Sequence, residues 1–105
     1  MVNSELERQT WEFTKDTILL GLLYPYKTDW PWIFCRFNST PNFSQYEHLF
    51  SQELRLLNEY GGTDEWEEAY KLISDQVFTL KLKEEIIRKF ILHIEGTEAW
   101  FTIIQ

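Results

Sequence analysis

The chain has one cysteine, Cys35, and only four glycines and three prolines among its 105 residues. A lone cysteine forms no internal disulfide, which excludes a disulfide-stapled secreted scaffold. Scarce Gly and Pro exclude collagen-like and low-complexity chains. Cationic side chains are few as well: ten Lys and Arg stand against seventeen Asp and Glu, a formal charge of −7. That balance repels phosphate, so neither nucleic acid nor an anionic membrane is expected as a partner. Long apolar runs are also missing. The longest, Ile18 to Leu23 with Gly21 inside it, is far short of the ~20 residues that span a bilayer.

What the chain does have is a large apolar payload. Hydrophobic residues make up 44% and aromatic residues 17%, with five Trp, five Tyr and eight Phe. That is too much for a disordered chain. At this length a single domain over residues 1–105 is expected, with a core that needs no metal or disulfide. Met1 to Glu7 lacks the basic stretch and apolar run of a secretory signal. With Cys35 unpaired, the expected compartment is the cytoplasm.

Periodicity divides the chain into strands, then helices, then strands. Trp11 and Phe13 alternate with polar neighbours, Thr17 to Leu23 is apolar on both sides, and Trp32 to Phe37 alternates again. In that third strand Ile33, Cys35 and Phe37 share one face, and Trp32, Phe34 and Arg36 the other. Tyr24 to Asp29, with its Pro, reads as a loop. From Thr40-Pro41 onward the pattern turns helical, with Tyr46, Phe50, Leu54 and Leu57 on one stripe until Gly61-Gly62 stops it. Thr63 or Asp64 then caps a second helix carrying Trp66, Ala69, Tyr70 and Ile73 on its apolar side. Val77 to Leu82, Arg88 to Ile94 and Ala99 to Ile104 are strands, the last two joined by a turn at Gly96. The expected fold is α+β: an antiparallel sheet in β-β-β-α-α-β-β-β order with a helical pair packed on one face.

No catalytic constellation emerges. The chain has no G-x-S-x-G, P-loop or G-x-G-x-x-G motif. Cys35 lies between Phe34 and Arg36 in a strand and reads as a small buried apolar residue, not a nucleophile. The two histidines, His48 and His93, are far apart in sequence. His93 and Glu95 share a strand face, a spacing compatible with a metal, but a solvent-facing or partly buried structural histidine is the simpler reading. No catalytic, cofactor-binding or metal-binding residue is assigned, and no enzymatic activity is expected.

Two features remain. Residues 42–75 hold eight acids against Arg55 and Lys71, so they carry −6 of the net −7. Such a run is most simply a solvated helix face; otherwise Glu59, Glu65 and Glu68 form an acidic surface that docks on a basic protein. The second feature is aromatic: Asp29-Trp30-Pro31-Trp32, preceded by Tyr24 and Tyr26. Apolar residues on both faces of the sheet imply strong curvature, or a second face that meets a ligand or another chain. The residues Tyr24, Tyr26, Trp30, Trp32 and Arg36 are the candidate interaction or ligand surface. A homodimer through that face is expected. The alternative is a small-molecule pocket around Trp30 and Trp32, with Arg36 orienting an anionic ligand.

The segments Asp29-Trp30-Pro31-Trp32-Ile33-Phe34-Cys35-Arg36-Phe37, Glu53-Leu54-Arg55-Leu56-Leu57 and Leu92-His93-Ile94-Glu95-Gly96-Thr97-Glu98-Ala99-Trp100-Phe101 resemble those of a group of small uncharacterised bacterial proteins. That group has a Trp-Pro-Trp strand, an acidic helical middle and a closing strand hairpin. The resemblance implies a bacterial, cytoplasmic origin and carries no activity, cofactor or site residue. The function expected from the sequence is therefore a non-enzymatic protein-interaction domain, such as a small inhibitor or immunity-type protein.

Overall fold

Period-2 alternation in the first third becomes an antiparallel meander of β1 (Trp11–Lys15), β2 (Ile18–Asp29) and β3 (Trp32–Ser39). The computed structural model describes residues 9–104, so the Met1 to Glu7 stretch lies outside the described residues. The β1–β2 turn falls at Asp16 and Thr17, both at positive φ, and closes without glycine. β2 does not end at Leu23. It continues through Pro25 to Asp29, where the sequence suggested a loop. Pairing with β1 stops at Trp11–Leu23, and a bulge in the β3 pairing lies between Pro25 and Lys27. Proline is tolerated where ladder hydrogen bonds are not required of it.

Thr40-Pro41 starts a 3-10 turn, Pro41–Gln45, and the continuous helix α1 begins later, at Glu47, and runs to Tyr60. Gly61, at φ +71, ends it in a conformation open to glycine, its N–H donating to the Leu57 carbonyl at 2.9 Å. Thr63 is the cap of α2 (Asp64–Ser74), its hydroxyl accepting from the Trp66 N–H. The final third holds four strands instead of three: β4 (Thr79–Leu82), β5 (Glu85–Ile87), β6 (Phe90–Glu95) and β7 (Glu98–Ile103). The extra strand, β5, is a three-residue return of β4.

All seven strands form one antiparallel sheet in the order β5-β4-β1-β2-β3-β7-β6, confirming the α+β class. Its two edges, β5 and β6, are joined by only Arg88 and Lys89. Three Cα–Cα steps cover at most about 11 Å, so the sheet curls until its edges nearly meet. The inner wall is the core: Phe13, Leu23, Cys35, Leu80, Ala99 and Phe101 are fully enclosed. Phe43 from the 3-10 turn and Phe50 from α1 add to it, each edge-on or tilted against other Phe rings. The expected helical pair on one face is present, while Trp32, Phe34 and Trp100 on the other face stay half-buried.

Candidate functional site

The aromatic residues singled out in the sequence lie on and around the outer wall of β2, β3 and β7. Pairing register puts Tyr24, Arg36 and Glu98 in one row, and Phe34 and Trp100 in the next. Phe34 and Trp100 stack at 6.2 Å, and the Lys27 ammonium lies 5.3 Å from the centre of the Phe34 ring. Tyr26 donates a 2.7 Å hydrogen bond to Glu98 Oε2. That bond, to an oxygen that cannot accept from an ionised phenol, raises the Tyr26 pKa. Arg36 is exposed between Tyr24 and Glu98.

Trp30 and Trp32 do not act together. Trp30, joined to Pro31 by a cis peptide, occupies the β2–β3 turn and is 91% exposed. Trp32 is half-buried, its ring 5.5 Å from that of His93. Trp30 therefore encloses nothing, and the surface cavities at Tyr70–Phe90 and at Glu12–Arg88 are formed without any of these five residues.

The densest polar chemistry lies elsewhere, at a pair the sequence reading did not single out. Glu53, on α1, is completely enclosed, and His93, on β6, nearly so. Their Oε1 and Nδ1 atoms are 2.6 Å apart, without the N–H alignment of a hydrogen bond. The same Oε1 accepts from Trp66 Nε1 at 3.0 Å, while Oε2 has no partner among the described residues. His93 alternates with Leu92 and Ile94, so its side chain leaves β6 away from the core, in the row of Trp100 and Phe34. The helix pair reaches round the β6 edge and buries it there. The Tyr70 hydroxyl accepts the outward Leu92 N–H, and the rings of Tyr70 and Trp100 stand 6.4 and 5.4 Å from the imidazole.

Among the acids of residues 42–75, Glu53 departs from the solvated face that the sequence suggests, because it is buried. The signal was available in the spacing. Glu53 follows Leu49 by four and precedes Leu56 by three, which puts it on the apolar stripe. The remaining acids behave as expected of a solvated face: Glu59, Glu65 and Glu68 are all exposed, with Glu59 3.8 Å from Arg55. His93 faces Glu53 instead of the exposed Glu95, and His48 is exposed on α1. No group of three metal-ligating side chains comes together among the described residues.

Cys35 is buried as predicted. Loss of solvation pushes its thiol up to about 12, and the nearby Glu98 charge adds to the shift. A neutral thiol of this kind is a poor nucleophile at ordinary pH. No helix among the described residues is long and apolar enough to cross a membrane. Comparison with protein-family models, with curated proteins and with solved structures gives no match.

Proposed function

We propose that this chain is a non-enzymatic protein-interaction domain that acts in the cytoplasm, pairing with a second copy through the outer aromatic wall of β2, β3 and β7. The observation that carries this reading is Trp30, 91% exposed at the end of that wall, with Tyr26 at 46% and Tyr24 at 37%. Solvent-facing Trp and Tyr are the side chains that most often anchor interfaces, because they bury large area with few rotatable bonds. The half-buried Trp32, Phe34 and Trp100 continue the surface away from the turn, and Arg36 and Glu98 give it both charges for a two-fold partner.

Light scattering between micromolar and hundred-micromolar concentration is the test. Twice the 12.8 kDa chain mass is expected, and Trp30→Ala with Tyr26→Ala should weaken pairing at least tenfold (about 1.4 kcal/mol). A mass of one chain throughout that range overturns the homodimer.

A second reading has its own observation. Seven of the eight acids in residues 42–75 are exposed, and the ion pairs found for them are Arg55–Glu59 and Lys71–Asp75. An acidic helical surface of that kind suits an inhibitor or immunity-type protein docking on a basic site of another protein. The small-molecule alternative at Trp30 and Trp32 receives no such support.

A further inference from the structure

The seam of the curled sheet holds a second surface with chemistry opposite to the rest of the molecule. Beneath the Arg88-Lys89 link that joins β5 to β6, a cavity of about 290 Å³ opens between the end of α2, Val77-Phe78 and Phe90. Tyr70, Ile73, Val77, Phe78, Phe90 and Ile104 supply its apolar walls, and among the described residues no acid lines it. In a chain of charge −7, two adjacent exposed cations over an acid-free apolar hollow form a local reversal of sign. The link is held in place, since the Ile104 N–H donates to the Lys89 carbonyl at 3.0 Å.

The mouth of this cavity carries a second anomaly. Val77 is 67% exposed and sits at φ +57, a left-handed conformation that β-branched residues rarely adopt. Ile104, on the rim, is 45% exposed. Strained backbone and uncovered apolar side chains tend to persist together where a ligand is clamped.

We infer that this seam cavity binds a small anionic amphiphile of about ten non-hydrogen atoms, with its apolar body seated on Ile73, Phe78 and Phe90 and its carboxylate held by Arg88 and Lys89. A guanidinium beside an ammonium suits a carboxylate, which accepts several charge-assisted hydrogen bonds. The inference stands on a different surface from the proposed interaction wall and does not depend on it.

Titration of the full chain with octanoate, followed by amide NMR, tests it. Saturable shifts are expected around Val77, Phe78, Arg88, Lys89 and Ile104, with a Kd of about 0.1–1 mM, as the efficiency of so small a ligand allows. Octanol and octylammonium should bind at least tenfold more weakly. Arg88→Gln with Lys89→Gln, both at exposed positions, should weaken octanoate by at least tenfold and leave the spectrum otherwise dispersed. Should that variant unfold, the comparison of the three eight-carbon probes decides by itself. Absence of saturable shifts up to 10 mM (about tenfold above the expected Kd) overturns the inference. So does equal binding of octanol or octylammonium, an unchanged affinity in a folded double variant, or shifts confined to the outer aromatic wall.

Discussion

Cys35 and His93 are both buried on strands that flank β7, yet their neighbours differ in kind. Cys35 lies opposite Ala99 on the inner wall, where desolvation keeps its thiol protonated. His93 lies opposite Trp100 on the other wall, between the Trp32 and Trp100 rings, and its burial is completed where α1 and α2 bring Glu53, Trp66 and Tyr70 to the β6 edge. The inner wall needs volume and no particular partner, whereas the β6 edge needs one carboxyl group in one place. Enclosure by a sheet is generic packing. Enclosure by a helix pair at an edge is a specific fit that fixes where the helices sit.

The sharpest way to break this comparison is Glu53→Ala. Removing one member of a buried polar pair leaves the other unpartnered, and a loss of about 3–5 kcal/mol is expected in denaturant unfolding. Glu53→Leu combined with His93→Phe should cost far less than the sum of the two single changes, because no orphan remains. Additive losses would mean that the two residues do not act as a pair.

Alkaline pH tests the other side. Below pH 9 Cys35 is protonated whether the chain is folded or unfolded, and its contribution to stability is fully present. As pH rises from 9 to about 12 the unfolded thiol ionises while the folded one keeps its proton. Stability should therefore fall by up to about 1.4 kcal/mol per pH unit across that window. Tyr70, pushed up to about 12 chiefly by burial, adds a decline that begins at pH 10. Cys35→Ala should remove the part that starts at pH 9, while lowering neutral-pH stability by about 1 kcal/mol through a sulfur-sized cavity. A native thiol that labels rapidly at pH 8 would contradict this assignment.

The smallest effects belong to the exposed acids. Glu59→Gln and Glu68→Gln should each shift stability by less than about 0.5 kcal/mol, including the loss of the solvent-screened Arg55–Glu59 contact. A larger loss in thermal unfolding from either change would show that the acidic surface contributes to the fold.

Local signals in the sequence account for much of this architecture. Alternation at Trp11–Phe13 and Trp32–Phe37, Gly61 as a helix stop and the Gly96 turn each act over a few residues and each is where the sequence placed it, and of the two caps it offered, Thr63 and Asp64, the structure uses Thr63. What was not legible depends on distant partners. Pro25 looks like a strand breaker until the end of the β1 pairing and the bulge make room for it. Three-residue β5 has too little pattern to announce itself beside the Lys83-Glu84 turn. Glu53 and His93 lie 40 positions apart by number, and nothing local marks them as a pair. Trp30 and Trp32 are two residues apart in sequence, yet one faces water and the other packs on an imidazole.

The way the curled sheet ends at its two margins also bears on behaviour in a crowded solution. An unpaired strand margin is a template on which further chains can add and propagate into fibrils. Here one margin, β5, is only three residues long and its Ile86 is followed closely by Arg88. On the other, β6, the outward Leu92 N–H is already taken by the Tyr70 hydroxyl. A chain this rich in aromatic and β-branched residues is thus guarded against runaway strand addition at both ends of its sheet, and on the β6 side the helix pair that covers the edge also fills one of its free hydrogen-bonding positions with the Tyr70 phenol.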